Sequence, residues 1–337
     1  MVARMGVRVL VAGAGAVGSV VGGLLAAAGH RVTLLGRAVH LDAIGDEGLV
    51  IEGLWGEHRV TDLALATDAR EVGDGFDAVL LTVKSFDTAA TLSTVRDLVA
   101  ADGCVISLQN GLGNVEQVAV GVGNARALGA RVIFGAVLPS PGVARVTVFA
   151  DPIALGAAVA GDAAAEQTAR VWVDRFAAAG IPTEYTADVQ AHLWTKIFYN
   201  AALNPLGALL GLPYGALAAD ADGRGIMDAI FDECFAVADA RGVVPLVATA
   251  DAYREVFYGR LVPSTAHHRS SMLQDLERGR PTEIEAINGC VWRYGREAGI
   301  PTPVNATMTR LVRFRERIGR QRSGSKERSG SGEQSGS

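Results

Sequence analysis

The sequence predicts an α/β domain built on a parallel sheet, followed by a second domain made of helices alone. Three observations carry this. The chain opens on a strand, a glycine-rich turn and a helix. Short apolar runs then alternate with helical segments up to about Thr186. From Asp188 onward only helical periodicity remains. A length of 337 residues suits two domains. The expected divisions are 1–186, 187–318 and a polar tail at 319–337.

The opening segment is the most specific. Val7-Arg8-Val9-Leu10-Val11-Ala12 reads as a buried strand and runs into Gly13-Ala14-Gly15-Ala16-Val17-Gly18, with an apolar helix to Ala28. This G-x-G-x-x-G sits between a strand and a helix, as in a Rossmann-type βαβ unit. Gly13 permits the tight turn, Gly15 lets a pyrophosphate approach the backbone, and Gly18 lets helix and strand pack closely. The helix start, with Ala16 and Val17, offers N–H groups and a positive dipole end to phosphates. The second strand, His30–Leu35, ends at Gly36-Arg37. An NAD site places a carboxylate there for the ribose 2′-OH. Here Arg37 stands where a 2′-phosphate would lie, which favours NADP(H) over NAD.

Further buried strands are expected at 78–83, 104–108 and 131–137, with a helix at 88–99. An antiparallel addition is expected at 143–149 and 152–155, then a helix at 161–179 and a strand near 182–185. The helices of the second domain are expected at 192–210, 228–241, 250–258 and 270–278. Thr282 and Glu285 read as a capping box opening a helix to about Ala298. A last helix runs from Pro303 to about Ile318. The tail beyond, rich in Ser, Gly and charge, has no apolar anchor and reads as disordered.

Composition excludes several classes. A net charge of −5 gives no reason to expect nucleic-acid or anionic-membrane binding. No uninterrupted apolar stretch is long enough to span a bilayer. The apolar start is explained by strand and helix rather than by a leader. The three cysteines, Cys104, Cys234 and Cys290, are odd in number and lie in apolar contexts, so free thiols in a reducing, cytoplasmic setting are expected. No Cys/His spacing resembles a metal site, and His267-His268 are adjacent.

One helix carries a reactive pattern. Lys196, Asn200 and Asn204 recur every four residues, so they share one stripe of an otherwise apolar helix. Asparagine is a poor helix former, and two in line argue for a polar pocket. An ammonium there suits hydride addition to a ketone. It stabilises charge growing on the oxygen and delivers the proton. A Rossmann domain followed by a helical one implies a site in the cleft between them. Lys84 and Asn110-Gly111 follow strand ends of the first domain. They read equally as an ordinary surface lysine and a simple turn. Ser271 reads as a donor to a substrate carboxylate or as an N-cap serine, and Glu283, in the first turn of the next helix, as a dipole-favoured acid.

Taken together, these residues resemble the ketopantoate reductase (2-dehydropantoate 2-reductase) family from about Val7 to Arg317. The resemblance rests on Gly13-x-Gly15-x-x-Gly18, Val83-Lys84, Gln109-Asn110-Gly111, Lys196-x3-Asn200-x3-Asn204-Pro205, Ser270-Ser271-Met272-x-Gln274-Asp275, Thr282-Glu283-Ile284-Glu285 and Ile287-Asn288-Gly289. It implies NADPH-dependent reduction of a 2-keto acid in pantothenate biosynthesis. It implies that Lys196 is the general acid and Glu283 a second essential residue. Lys84 and Asn110 would lie near the nicotinamide and its ribose. Asn200, Asn204 and Ser271 would bind substrate, and Arg37 the 2′-phosphate. A homodimer is implied by analogy alone. Tyr214 and His268 stand where the family usually has pocket asparagines, which leaves the substrate's hydroxyl end open. A paralogous reductase of another keto acid or ketone, and a non-catalytic NADP(H) sensor, are the alternatives.

Overall fold

The computed structural model describes residues 6–330. It divides into two compact units, Met1–His192 and Leu193–Ser337. In the first, β1 (Arg8–Ala12), α1 (Ala16–Ala27), β2 (Arg31–Leu35) and α2 (Ala38–Glu47) lead to three short strands, β3 (Leu49–Gly53), β4 (His58–Val60) and β5 (Ala64–Ala66). Then come β6 (Phe76–Leu81), α3 (Thr88–Val95), β7 (Val99–Ser107), α4 (Asn114–Val122), β8 (Ala127–Arg131), β9 (Phe134–Ser140) and β10 (Val143–Phe149). The unit closes with β11 (Ile153–Ala157), α5 (Ala163–Ala178) and β12 (Thr183–Tyr185).

The main sheet has the order β12-β11-β8-β7-β6-β1-β2-β5, parallel except where β11 meets β8. The chain winds outward from β1 through β2 to β5, then returns to β6 and winds the other way. The order therefore reverses between β1 and β6, and the carboxyl ends of these strands frame the crevice where such sheets bind ligands.

Four strands, β4-β3-β10-β9, form a second sheet. Helix α1 lies between the two sheets and is apolar all round, as a doubly covered helix must be. Two adjacent glycines make this possible. A Cβ on Gly22 would come within 2.8 Å of Val11 in the main sheet, and one on Gly23 within 2.6 Å of Ile51 in the second.

Three expectations need correction. The stretch 38–75 holds α2, β3, β4 and β5, none of which was anticipated. The run 131–137 is not one strand: β8 ends at Arg131 in the main sheet, and β9 starts at Phe134 in the second. A continuous apolar run reports burial, not which sheet is buried against. Here the break is marked by Arg131, buried and paired with Asp151 at 2.7 Å. For the same reason 143–149 and 152–155 are not one antiparallel addition, because β10 joins the second sheet and β11 the main one.

Among its described residues the second unit has no strand, and its α-helices are α6 (Val189–Leu210, which begins just before the division), α7 (Tyr214–Ala219), α8 (Ala221–Ala240), α9 (Ala250–Val256), α10 (Val262–Ser264), α11 (Ser271–Glu277), α12 (Asn288–Ala298) and α13 (Pro303–Gly330). Its core is strongly aromatic, with Phe231 against Phe257 at 4.8 Å and Phe198 against Tyr253 at 5.4 Å. Helix α13 continues through Gly330, beyond Ile318 where the tail was expected to lose structure. Extending an existing helix needs no new nucleus. The rest of the expected tail, 331–337, lies outside the described residues.

Candidate active site

In the first unit, the glycine turn is held from both sides. The Gly13 and Ala14 amides both donate to Leu35 O, and Thr82 Oγ1 donates to Gly13 O at 2.7 Å. Gly13 has φ +115°, and a Cβ there would lie 2.6 Å from Val83 N. A Cβ on Gly18 would lie 2.3 Å from Gly13 O. Gly15 differs: its φ is −88°, and its Cβ would meet nothing closer than 4.0 Å. Two glycines are thus required by the protein's own packing, and the third leaves open space. No side chain caps α1, and its first turn carries no acid. The turn fits a dinucleotide pyrophosphate on these grounds.

Arg37 is exposed at the N-terminus of α2, whose first turn also lacks an acid. Lys84 and Asn110 follow β6 and β7 at the same sheet edge and are half-buried. A buried network ties their loops together. Gln109 Nε2 donates to Val83 O and to Thr88 Oγ1 at 2.9 and 2.7 Å. Thr88 Oγ1 lies 2.9 Å from Asn114 Oδ1, and Asn114 Nδ2 donates to Asn110 O at 2.8 Å.

His40, which belongs to none of the sequence motifs, pins α2 against its neighbours. The Gly142 amide donates to its Nδ1 at 3.0 Å, so that nitrogen is unprotonated. Nε2 therefore carries the proton and donates to Ser19 Oγ of α1 at 2.9 Å. His40 is a neutral imidazole in the fold. Burial lowers its pKa, helped by the Arg37 charge. Burial likewise lowers His30, aided by Arg175, and His192, aided by Arg131. The unfolded chain therefore binds protons at these sites before the folded one does. The contribution of these histidines to stability is full above the ordinary value near 6.5 and is lost as pH drops below it. Denaturant midpoints measured from about pH 8 to about pH 5 should decline, and the decline should be smaller in His40→Gln.

In the second unit, α6 presents the Lys196 stripe. Lys196 is half-buried, and Asn200 and Asn204 are buried. Tyr214, at the start of α7, is also buried and donates its hydroxyl to Asn204 Oδ1 at 2.7 Å. This occupies Asn204 Oδ1 as an acceptor and leaves Nδ2 as the donor end of the amide. The Tyr214 ring packs on His268 at 5.1 Å, and His268 itself is exposed. Ser270, fully buried, caps α11 by accepting from the Leu273 amide at 3.0 Å and donates to Asn204 O at 3.3 Å. Ser271 is exposed one residue later, at the first position of α11. The structure thus brings Asn204, Tyr214, His268 and Ser270 together.

Glu283 is buried, and the capping box expected of Thr282 and Glu285 does not form. Thr282 Oγ1 accepts weakly from the Ile284 amide at 3.4 Å, not from residue 285. Glu285 instead pairs with Arg313 of α13. Residues 284–286 form a single tight turn, and α12 starts at Asn288, after Ile287 leaves helical angles. The short-range pattern was outcompeted by a partner distant in sequence.

The family model described as ketopantoate reductase PanE/ApbA matches residues 9–159, and that of its C-terminal part matches residues 188–316. The 2-dehydropantoate 2-reductase of Aquifex aeolicus is 36% identical over 315 residues, spanning 93% of this chain and 98% of that one. The crystal structure of a PanE/ApbA family ketopantoate reductase from Ralstonia eutropha JMP134 superposes with a TM-score of 0.83 at 33% identity, over 93% of this chain and 99% of that one. A D-mandelate dehydrogenase solved with NADH and anilino(oxo)acetate superposes at 0.82 with 26% identity, over 93% and 99%. On the match of both halves and on a close relative spanning nearly its full length, the chain belongs to the ketopantoate reductase family of oxidoreductases.

Proposed function

We propose that the chain reduces a 2-keto acid, 2-dehydropantoate to pantoate, using NADPH and Lys196 as the general acid. The observation that carries this is the α6 stripe, a half-buried lysine in line with two buried amides. The backbone at Gly13, Gly15, Ala16, Val17 and Gly18 holds the pyrophosphate, and Arg37 the 2′-phosphate. Lys84 and Asn110 hold the ribose and nicotinamide end. Bound NADPH supplies the hydride. Lys196 stabilises negative charge on the ketone oxygen and gives it a proton. Asn200 and Asn204 orient the keto acid without competing for that proton. Ser271 donates to the substrate carboxylate at a helix start, and Glu283 is a second polar group of the site.

One observation favours a second substrate. The Tyr214 hydroxyl already occupies Asn204 Oδ1, and its ring pairs with His268. An aromatic pair suits a keto acid with an apolar or aryl side chain better than one bearing a hydroxyl. The D-mandelate dehydrogenase relative acts on an aryl 2-hydroxy acid by its name.

A panel of 2-keto acids, tested with NADPH and with NADH, decides this. The expected result is highest kcat/KM for 2-dehydropantoate with NADPH. A higher value for an aryl 2-keto acid selects the second reading. Cofactor binding without turnover across the panel leaves only the sensor reading. In the same assay, Arg37→Ala should raise the KM for NADPH roughly tenfold or more and leave that for NADH unchanged, since a hydrogen bond to a charged group contributes about 1.5–3 kcal/mol.

A further inference from the structure

Pro205 lies inside α6, one residue after Asn204. In a helix, each amide N–H bonds the carbonyl four residues back. Proline has no N–H, so the carbonyl of Ala201 loses its helical partner. Ala201 is fully buried, where an unpaired carbonyl is costly. The missing donor comes from another helix. Asn288 Nδ2, at the start of α12, donates to Ala201 O at 3.0 Å.

The orientation of that amide is fixed by a relay. The Glu233 carboxylate only accepts. It takes the Val304 and Asn305 amides at 2.7 and 2.9 Å, and Asn305 Nδ2 at 2.7 Å. Asn305 must therefore turn its Oδ1 the other way, toward Asn288. Asn288 Nδ2 donates to that oxygen at 2.9 Å and gives its other hydrogen to Ala201 O. Asn288 and Asn305 are both fully buried. Asn288 Oδ1 finds no partner among the described residues. A leucine of the same shape would avoid that cost, so the asparagine is explained by its two donors.

We infer that Asn288 is a positioning residue for the proposed reaction: its amide replaces the hydrogen bond that Pro205 removes, and so fixes the turn of α6 bearing Asn200 and Asn204. The inference rests on the function proposed above. A lysine or amide displaced by about an ångström loses on the order of a hundredfold in rate, and a helix broken at proline with an unsatisfied carbonyl invites such displacement.

The test is a double-mutant cycle of Asn288→Leu and Pro205→Ala, read by steady-state kinetics and by amide hydrogen exchange along α6. Asn288→Leu should lower kcat roughly tenfold to a hundredfold and raise the keto-acid KM, with the KM for NADPH unchanged. It should also speed exchange around residues 201–210. In the double variant, residue 205 regains an N–H for Ala201 O, so kcat and exchange protection should return most of the way. A double variant as impaired as Asn288→Leu alone overturns the inference, as does a parallel rise in the KM for NADPH. A wild-type chain that turns over no keto acid overturns the proposed function instead, and the exchange data then still decide whether Asn288 supplies the missing bond.

Discussion

Lys196→Ala is expected to lower kcat by about 10²–10⁴-fold while leaving the KM for NADPH within about twofold of wild type. The span follows from the role: a positioned proton donor contributes about 10²–10⁴-fold, or roughly 3–5.5 kcal/mol of barrier. The residues proposed to hold the cofactor, Gly13 to Gly18, Arg37, Lys84 and Asn110, belong to the first unit. Lys196→Arg separates the two tasks of the ammonium. Arginine keeps the positive charge but holds its proton too tightly to act as an acid. If charge stabilisation dominates, Arg recovers much of the rate; if proton delivery dominates, Arg resembles Ala. Asn200→Ala should behave differently again, raising the keto-acid KM more than it lowers kcat, because the amide binds ground state and transition state alike. A Lys196→Ala chain with full turnover would sink the mechanism.

How much of this was legible in the sequence depended on range. The G-x-G-x-x-G turn and the Lys196 stripe are local patterns, and both stand where their spacing put them: Gly13 and Gly18 are demanded by contacts under 3 Å, and Asn200 and Asn204 are buried along α6. What stayed hidden was settled by residues far apart. Asn288 and Ala201 are 87 positions apart, and Gly142 and His40 are 102 apart. No periodicity encodes such pairs. Pro205 did carry a readable signal, since a proline inside an apolar helical stretch always frees a carbonyl, and some donor must answer it. The sequence alone could not say which. The capping box at Thr282 failed for the converse reason: a good local pattern lost its glutamate to Arg313. The strands β4 and β5 have three residues each, too few to show a period, whereas β3 has five with alternating burial and was missed despite it. They become strands only through pairing with β10, β3 and β2.

The glycine turn offers the sharpest separation of folding from binding. Gly18→Ala should destabilise the first unit severely. Its Cβ would lie 2.3 Å from Gly13 O and 2.6 Å from Thr82 Oγ1, and the backbone oxygen cannot turn aside. Gly13→Ala adds strained backbone at φ +115° to a 2.6 Å clash with Val83 N. Strained backbone and overpacking each cost about 1–3 kcal/mol. Gly15→Ala should fold as well as wild type, because φ is −88° and the nearest atom to its Cβ is 4.0 Å away. The added methyl instead enters the space proposed for the pyrophosphate beside the α1 amides, so NADPH affinity should fall by an order of magnitude or more. Denaturant unfolding of the free protein and NADPH titration by fluorescence read the two effects apart. A Gly15→Ala chain that binds NADPH as wild type does would remove the pyrophosphate from this turn. A Gly15→Ala chain that unfolds as readily as Gly18→Ala would mean the open space at Gly15 is needed by the protein itself.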